Sequence, residues 1–473
     1  MKKSFFQTNK ILTVFLVFIL CFGVLFGAVG CGQSDETDGL SDRIGEKRIF
    51  TEVSKVQFLQ KDYSFIELQN IALSSFISLN TIDYDSISAE RRAVTDAYIT
   101  AVNAFSDRLF SACLAQNNIE DNFSFSPIGV YEILHLLQLA GNSESVLSAL
   151  TDVLGMNCNQ AKGDFINAYL NDVFSNDDGT LQRYNGAFFT TENTVDATYL
   201  REIADRYVDA FQMDFSDADA VGQMVDWVNT RLHEEGFLKA QDLDLTDETA
   251  FVFFSTLFFD NRWATRFLTG ETQQGIFYGA TEQTASYMRH SYHGSVYDYG
   301  EYVSCYDYYA NGMSVKYFTP KSKDADIWTL LNGKSLFFDD EEKLVNTDDH
   351  SLIVDLSVPK FSSESTYNFN AALDTMGLTE LYLSAYHPLD KMFSDLLPDE
   401  SIYLSFIKSK SKVSFSEDGT IIKSYVEAMG EKSNSIGPQR VDTYVIHLDS
   451  PFVYVIYDRS GLPLFVGNVN TVL

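Results

Sequence analysis

Basic residues are few. Lysine and arginine number 34 against 66 aspartates and glutamates, a formal charge of −32 over 473 residues. A field of that sign repels nucleic acid and anionic lipid, so neither is a partner of the folded surface. Proline is scarce as well, with 8 residues, while 45% of the chain is hydrophobic and 14% aromatic. That content excludes general disorder and is ample for a large core. Cysteine occurs five times, at Cys21, Cys31, Cys113, Cys158 and Cys305, with no CxxC pair. The first two lie in or beside an N-terminal leader. The three that remain are far apart, which argues against a disulfide framework or a zinc cluster and for buried thiols. His290 and His293 are three apart with no third ligand in sight, so no metal site is expected. GxSxG, HExxH, P-loop and dinucleotide fingerprints are all missing, and carboxylate pairs in so acidic a chain carry little information.

The leader itself is distinctive. Lys2, Lys3 and Lys10 precede an apolar run from Ile11 to Ala28, then Gly27-Ala28-Val29-Gly30 and Cys31. Positive residues, an apolar stretch and a small-residue site make a secretory signal. A cysteine directly after the small residues resembles a bacterial lipobox, which implies cleavage before Cys31 and acylation of its thiol. An uncleaved membrane helix is the rival reading, since the run is nearly long enough to span. Either way the remainder is expected outside the cytoplasm. Residues 31–50 are polar and read as a flexible tether. Residues 51–94 read as an N-terminal extension of uncertain structure.

A helical pattern follows, with Tyr98, Val102, Phe105 and Leu109 on one side. Ser126 is placed to cap a helix that starts at Pro127 and ends near Gly141-Asn142. Further helices are predicted over 197–211, with Leu200, Ile203 and Tyr207 aligned, and over 220–232. Ala250 to Phe259 is almost continuously apolar and reads as a strand buried on both faces. Strands are also predicted over 313–318, 352–358, 412–416, 441–448, 452–457 and 462–469. Tyr297 to Tyr309 reads as an aromatic packing segment, and Lys408, Lys410 and Lys412 alternate with serines. Helices cluster early and strands late, which predicts an α+β fold. No internal repeat is evident.

Several segments, in order, resemble the serpin family of loop-inserting protease inhibitors. They are Asn122 to Pro127, Gly141 to Ser145, Met224 to Val228, Ser255 to Trp263, Met313 to Pro320, Val358-Pro359-Lys360-Phe361 and Leu373 to Leu378. Glu417-Asp418-Gly419-Thr420, Ser450-Pro451-Phe452 and Leu464 to Asn470 complete the set. The resemblance covers a domain from about Thr95 to Leu473. It implies three β-sheets, eight or nine helices and an exposed reactive loop at about 417–445. It also implies that a target protease cuts the loop, forms an acyl-enzyme, and is trapped as the loop inserts into the central sheet.

Within that loop Glu417, Asp418, Gly419 and Thr420 correspond to the hinge, and Gly419 offers backbone freedom there. A strand period of two puts Thr420, Ile422, Ser424, Val426 and Ala428 on one face and Ile421, Lys423, Tyr425 and Glu427 on the other. The first face is apolar or small and suits burial; the second suits solvent. Ile422 is bulky where the family carries small residues, and overpacking costs ~1–3 kcal/mol. Lys412 is charged where the family strand is apolar. Two bonds qualify for cleavage, Lys432-Ser433 and Arg440-Val441, and both suit a trypsin-like pocket. The expectation is a membrane-tethered, monomeric, cofactor-free inhibitor of extracellular serine, or alternatively cysteine, endopeptidases. The alternative is a non-inhibitory binding or structural lipoprotein on the same fold, which Ile422 and Tyr425 favour. An acidic glycoside hydrolase is a third reading, resting only on aromatic and carboxylate content.

Overall fold

The computed structural model describes residues 51–52, 84–116, 121–156, 160–174, 181–345, 351–421 and 441–472. The helices are α1 (Tyr84–Gln116), α2 (Pro127–Ala140), α3 (Glu144–Leu154), α4 (Gln160–Phe174), α5 (Ala197–Ala204), α6 (Ala218–Arg231), α7 (Ile327–Leu331) and α8 (Asn370–Thr375). The early strands are β1 (Thr51–Glu52), β2 (Ser124–Phe125), β3 (Leu181–Thr190), β4 (Val208–Met213), β5 (Phe251–Arg262), β6 (Gln273–Tyr278), β7 (Glu282–His293), β8 (Val296–Asp298) and β9 (Tyr302–Tyr308). The later ones are β10 (Ser314–Pro320), β11 (Ser351–Pro359), β12 (Phe361–Asn368), β13 (Lys408–Phe415), β14 (Gly419–Ile421), β15 (Val441–His447), β16 (Phe452–Tyr457) and β17 (Pro463–Val469).

Three sheets result, as the family resemblance implied. The large sheet has the order β1-β4-β3-β5-β14-β13-β12, the second β2-β17-β16-β10-β9-β8, and the smallest β15-β11-β7-β6. The core lies between the large and second sheets. Phe415 of the large sheet meets Tyr454 of β16 and Tyr317 of β10 at ring distances of 5.3 and 6.3 Å. Within the second sheet Gly467 of β17 makes room for its cross-strand partner Tyr454, whose hydroxyl a Cβ there would strike. Residues β16 and β17 are buried throughout.

Local chemistry explains most elements. The Ser126 hydroxyl accepts from the Gly129 amide at 3.1 Å, and Pro127 opens α2 where its missing N–H is not needed. Asn122 ties the start of the domain to its end: its side-chain oxygen accepts from the amides of Asn470 and Thr471, at 2.6 and 3.0 Å. On the opposite face of the large sheet, Trp227 of α6 lies over Gly186 of β3, where a Cβ would be 2.7 Å from the indole. Glycine at 186 therefore makes the seat for α6.

Two expectations are corrected. The helix predicted over 197–211 ends at Ala204, and Val208–Met213 is strand β4, paired parallel to β3. Tyr207 takes φ 57 between them and is 56% exposed. Leu200 and Ile203 are buried; the aligned Tyr207 is not. The strand at Phe251 is buried fully only from Thr256 to Phe259, since Phe251 to Ser255 are half-buried. Of the tyrosines of 297–309, Tyr297 lies in β8 and Tyr302, Tyr306 and Tyr308 lie in β9. Tyr306 donates to Asp339 at 3.0 Å, and Asp339 in turn pairs with the buried Lys316 at 2.7 Å.

Candidate functional site: the hinge in the large sheet

β13 ends at Phe415, turns through Glu417 and Asp418, and re-enters the sheet as β14. Reciprocal hydrogen bonds close the turn, Ser416 N–H to Gly419 O at 3.0 Å and Gly419 N–H to Ser416 O at 3.3 Å. β14 then lies antiparallel to both neighbours: Thr420 opposite Phe415 of β13 and opposite Asn261 of β5. β5 and β13 consequently run parallel to each other with one strand between them. Beyond Ile421 no described residue pairs with the facing edges of β5 and β13. Two inter-strand spacings put those edges ~10 Å apart, the width that one further strand fills.

Each hinge residue has a physical reason to be there. A Cβ on Gly419 would collide with the Asn261 carbonyl, so only glycine lets the chain enter beside β5. Its φ is not positive, so the requirement is space and not a left-handed turn. Thr420 is fully buried, and its hydroxyl accepts from the Tyr309 hydroxyl at 2.8 Å. Tyr309 stacks on Trp263 at 4.9 Å and 14°, and the Trp263 indole N–H donates to the Ser416 carbonyl at 2.9 Å. The indole therefore reads the turn directly. Glu417 pairs with Lys360 at 2.7 Å and accepts from Thr272 at 3.0 Å. Partial burial alone would raise its carboxyl; the Lys360 and Thr272 hydrogen bonds outweigh that and hold it below the ordinary value. Asp418 is exposed at the tip.

Parity follows from the register. Thr420, Asn261 and Phe415 share the face that looks into the core. Phe259 and Leu257 of β5 and Val413 of β13 continue that face and are buried. The other face carries Lys408, Lys410 and Lys412, the last of them charged where the family strand is apolar. All three are paired: Lys408 with Asp244, Lys410 with Asp242 at 3.3 Å and Glu364 at 3.4 Å, and Lys412 with Glu234 at 2.6 Å. Ser124, Ser365 and Ser411 form a hydroxyl cluster beneath β12 and β13, with Ser124 Oγ to Ser411 Oγ at 2.6 Å.

Ile422, Ser424, Val426, Lys432, Ser433 and Arg440 lie outside the described residues, as does Cys31. Val441 is the first residue of β15 and pairs with Ser351 of β11. His290 and His293 sit on opposite faces of β7. His290 is buried, bonded to the Thr265 carbonyl at 2.8 Å and paired with Asp307 at 3.0 Å. Sequence reasoning did not find Tyr309, Trp263 or Lys360 as hinge partners. Their long separation from Thr420 and Glu417 leaves no local signal.

Among the described residues, three sheets backed by helices and a short hinge strand seated between β5 and β13 define the fold. A family model described as serpin (serine protease inhibitor) matches residues 100–472, and the chain belongs to the serpin family. It is 26% identical over 273 residues to plasminogen activator inhibitor 1 of Neovison vison, covering 54% of this chain and 64% of that protein. It is 24% identical over 385 residues to thyroxine-binding globulin of Rattus norvegicus, covering 78% and 88%. The solved structure of cleaved serpin 42Da superposes with a TM-score of 0.67 at 18% identity, over 80% of this chain and all of that one. Serpins are in general protease inhibitors and bind their target proteases; some are non-inhibitory.

Proposed function

We propose that this protein is a suicide inhibitor of extracellular serine endopeptidases. Cleavage of the loop after β14 releases a segment that continues the strand Gly419 to Ile421 has begun. The observation that carries this reading is the seating of β14 between β5 and β13. Extending the same register sets Ile422 between Phe259 and Val413, Ser424 between Leu257 and Ser411, and Val426 between Ser255 and Ser409. Those positions fall on the core face, where apolar or small residues suit the strand. Once severed, the segment adds main-chain hydrogen bonds along two edges, and the attached protease is carried along before deacylation.

Of the two candidate bonds, Lys432-Ser433 has the better support. Val441 is already in the β15–β11 ladder, so a bond at Arg440-Val441 lacks free extended chain on its C-terminal side. A lysine there suits a trypsin-like target. The leader supports export and acylation of Cys31, with residues 31–50 as the tether to the outer face of a bacterial membrane. The test is incubation with trypsin-like and elastase-like proteases. The reading expects a protease complex stable to boiling in detergent, and release of the peptide starting at Ser433 by mass spectrometry. Simple cleavage by every protease, with no such complex, would refute it.

A second reading, a binding protein on this fold, has one observation in its favour. A cavity of about 300 Å³ is lined by Asn103, Tyr306, Asp339 and Arg459 among others. The buried Asn103 side-chain oxygen has no hydrogen-bond partner among the described residues. The similarity to thyroxine-binding globulin is compatible with it.

A further inference from the structure

The linker between α6 and β5, residues 232–250, crosses the large sheet from the β3–β5 side to β13. One side of it is fixed to the half of the sheet that contains β3 and β5. The Asn229 side chain of α6 exchanges two hydrogen bonds with the Leu238 backbone, at 2.7 and 3.0 Å. His233 lies 5.0 Å from the Phe258 ring of β5 and within 3.1 Å of Gln182 of β3. The other side is held by β13. Glu234, Asp242 and Asp244 of the linker pair in turn with Lys412, Lys410 and Lys408. Phe237 of the linker lies 5.3 Å from the Lys410 ammonium. The lysines are spaced by two, so all three point to the same side of β13. The acids follow in the reverse order, so the linker runs antiparallel to the strand and each pair is one rung.

We propose that this ladder of three ion pairs is an electrostatic clasp that straps the linker across the interval between β5 and β13 and sets the rate at which the sheet admits a strand. A strand entering below β14 must pass its outward side chains beneath residues 232–250. The linker can lift only if the rungs open. Single exposed pairs contribute little, because solvent screens them and ordering long side chains costs entropy. Here three act on one segment, and Lys410 is also held by Glu364. The Glu234 hydrogen bond raises the Lys412 ammonium above its ordinary value, in keeping with a formed pair. Half-exposed pairs are weakened by salt, so the clasp loosens as ionic strength rises. The clasp stands on described residues alone; only its consequence for insertion rests on the inhibitor reading.

The experiment uses the full chain and a Lys408→Met, Lys410→Met, Lys412→Met triple variant, from 0.05 to 0.5 M sodium chloride. Hydrogen–deuterium exchange of residues 232–250 is the first readout. Wild type should exchange faster with rising salt; the variant should exchange about tenfold faster at low salt and be insensitive to salt. Lys→Arg at the same positions should restore slow exchange. Equal exchange and equal salt response in wild type and variant would overturn the clasp. Exchange of wild type across the salt series decides it even should the variant fold poorly: a flat response overturns the clasp. The second readout is the Trp263 emission change after loop cleavage, which should be about tenfold faster in the variant at low salt. If neither protein inserts after cleavage, the inhibitor reading fails while the exchange result still judges the clasp.

Discussion

Gly419 shows how one residue decides whether the hinge can occupy the sheet. The Asn261 carbonyl leaves no room for a side chain, and the Tyr309 hydroxyl then fixes the next residue, Thr420. Gly419→Val should expel β14, since overpacking a tight site costs ~1–3 kcal/mol. Amide exchange of Thr420 and Ile421 should rise roughly 5- to 150-fold, the factor that this energy implies. Trp263 emission should shift, because the indole loses its bond to the Ser416 carbonyl. Unchanged exchange at both amides would show that the close approach is not what holds the hinge. The glycine was legible in the sequence, as was Glu417. The physical demand on the glycine was not, because a collision with residue 261 depends on a strand pairing that spacing alone does not specify.

Elements were legible where their signals are local. The Ser126 cap and Pro127 mark the start of α2 within a few residues, and the sequence reading placed both ends of that helix. The alternation of Lys408, Lys410 and Lys412 was visible too, but its partners come from a linker some 170 positions away, by the separations of 164, 168 and 178 residues between them. The predicted helix over 197–211 failed for a different reason. Helical spacing of Leu200, Ile203 and Tyr207 runs straight into a strand that pairs with β3, and tertiary pairing overrides local periodicity. The break falls on Tyr207 in the left-handed region, at φ 57. That conformation costs a tyrosine ~1–2 kcal/mol, and glycine removes the cost while adding ~0.5–1 kcal/mol of unfolded-state entropy. Tyr207→Gly should therefore stabilise by ~0.5 kcal/mol, raising the melting temperature by about 1 °C in a differential scan. A fall would mean that the exposed ring contributes packing which outweighs the backbone strain.

At the scale of the whole molecule, the interval between β5 and β13 in the large sheet is the feature that matters. Among the described residues β5 and β13 run parallel and are joined through the three-residue strand β14, and the core face below it is lined by Phe259, Leu257 and Val413. The order of the family-like motifs revealed the three-sheet fold, since each motif marks a junction: Asn122 binds the residues just after β17, Trp263 the hinge, Lys360 the turn. Why those motifs matter is a property of contacts between distant segments, which no window of sequence displays. The central claim is that the segment after Ile421 belongs between β5 and β13 once it is cut free. Thermal unfolding before and after a single cleavage within residues 422–440 tests this most directly. The account predicts that the nicked protein melts at a markedly higher temperature than the intact one, with slower amide exchange along β5 and β13. A nicked protein that melts at the same temperature or lower, with those two edges exchanging as before, would contradict it.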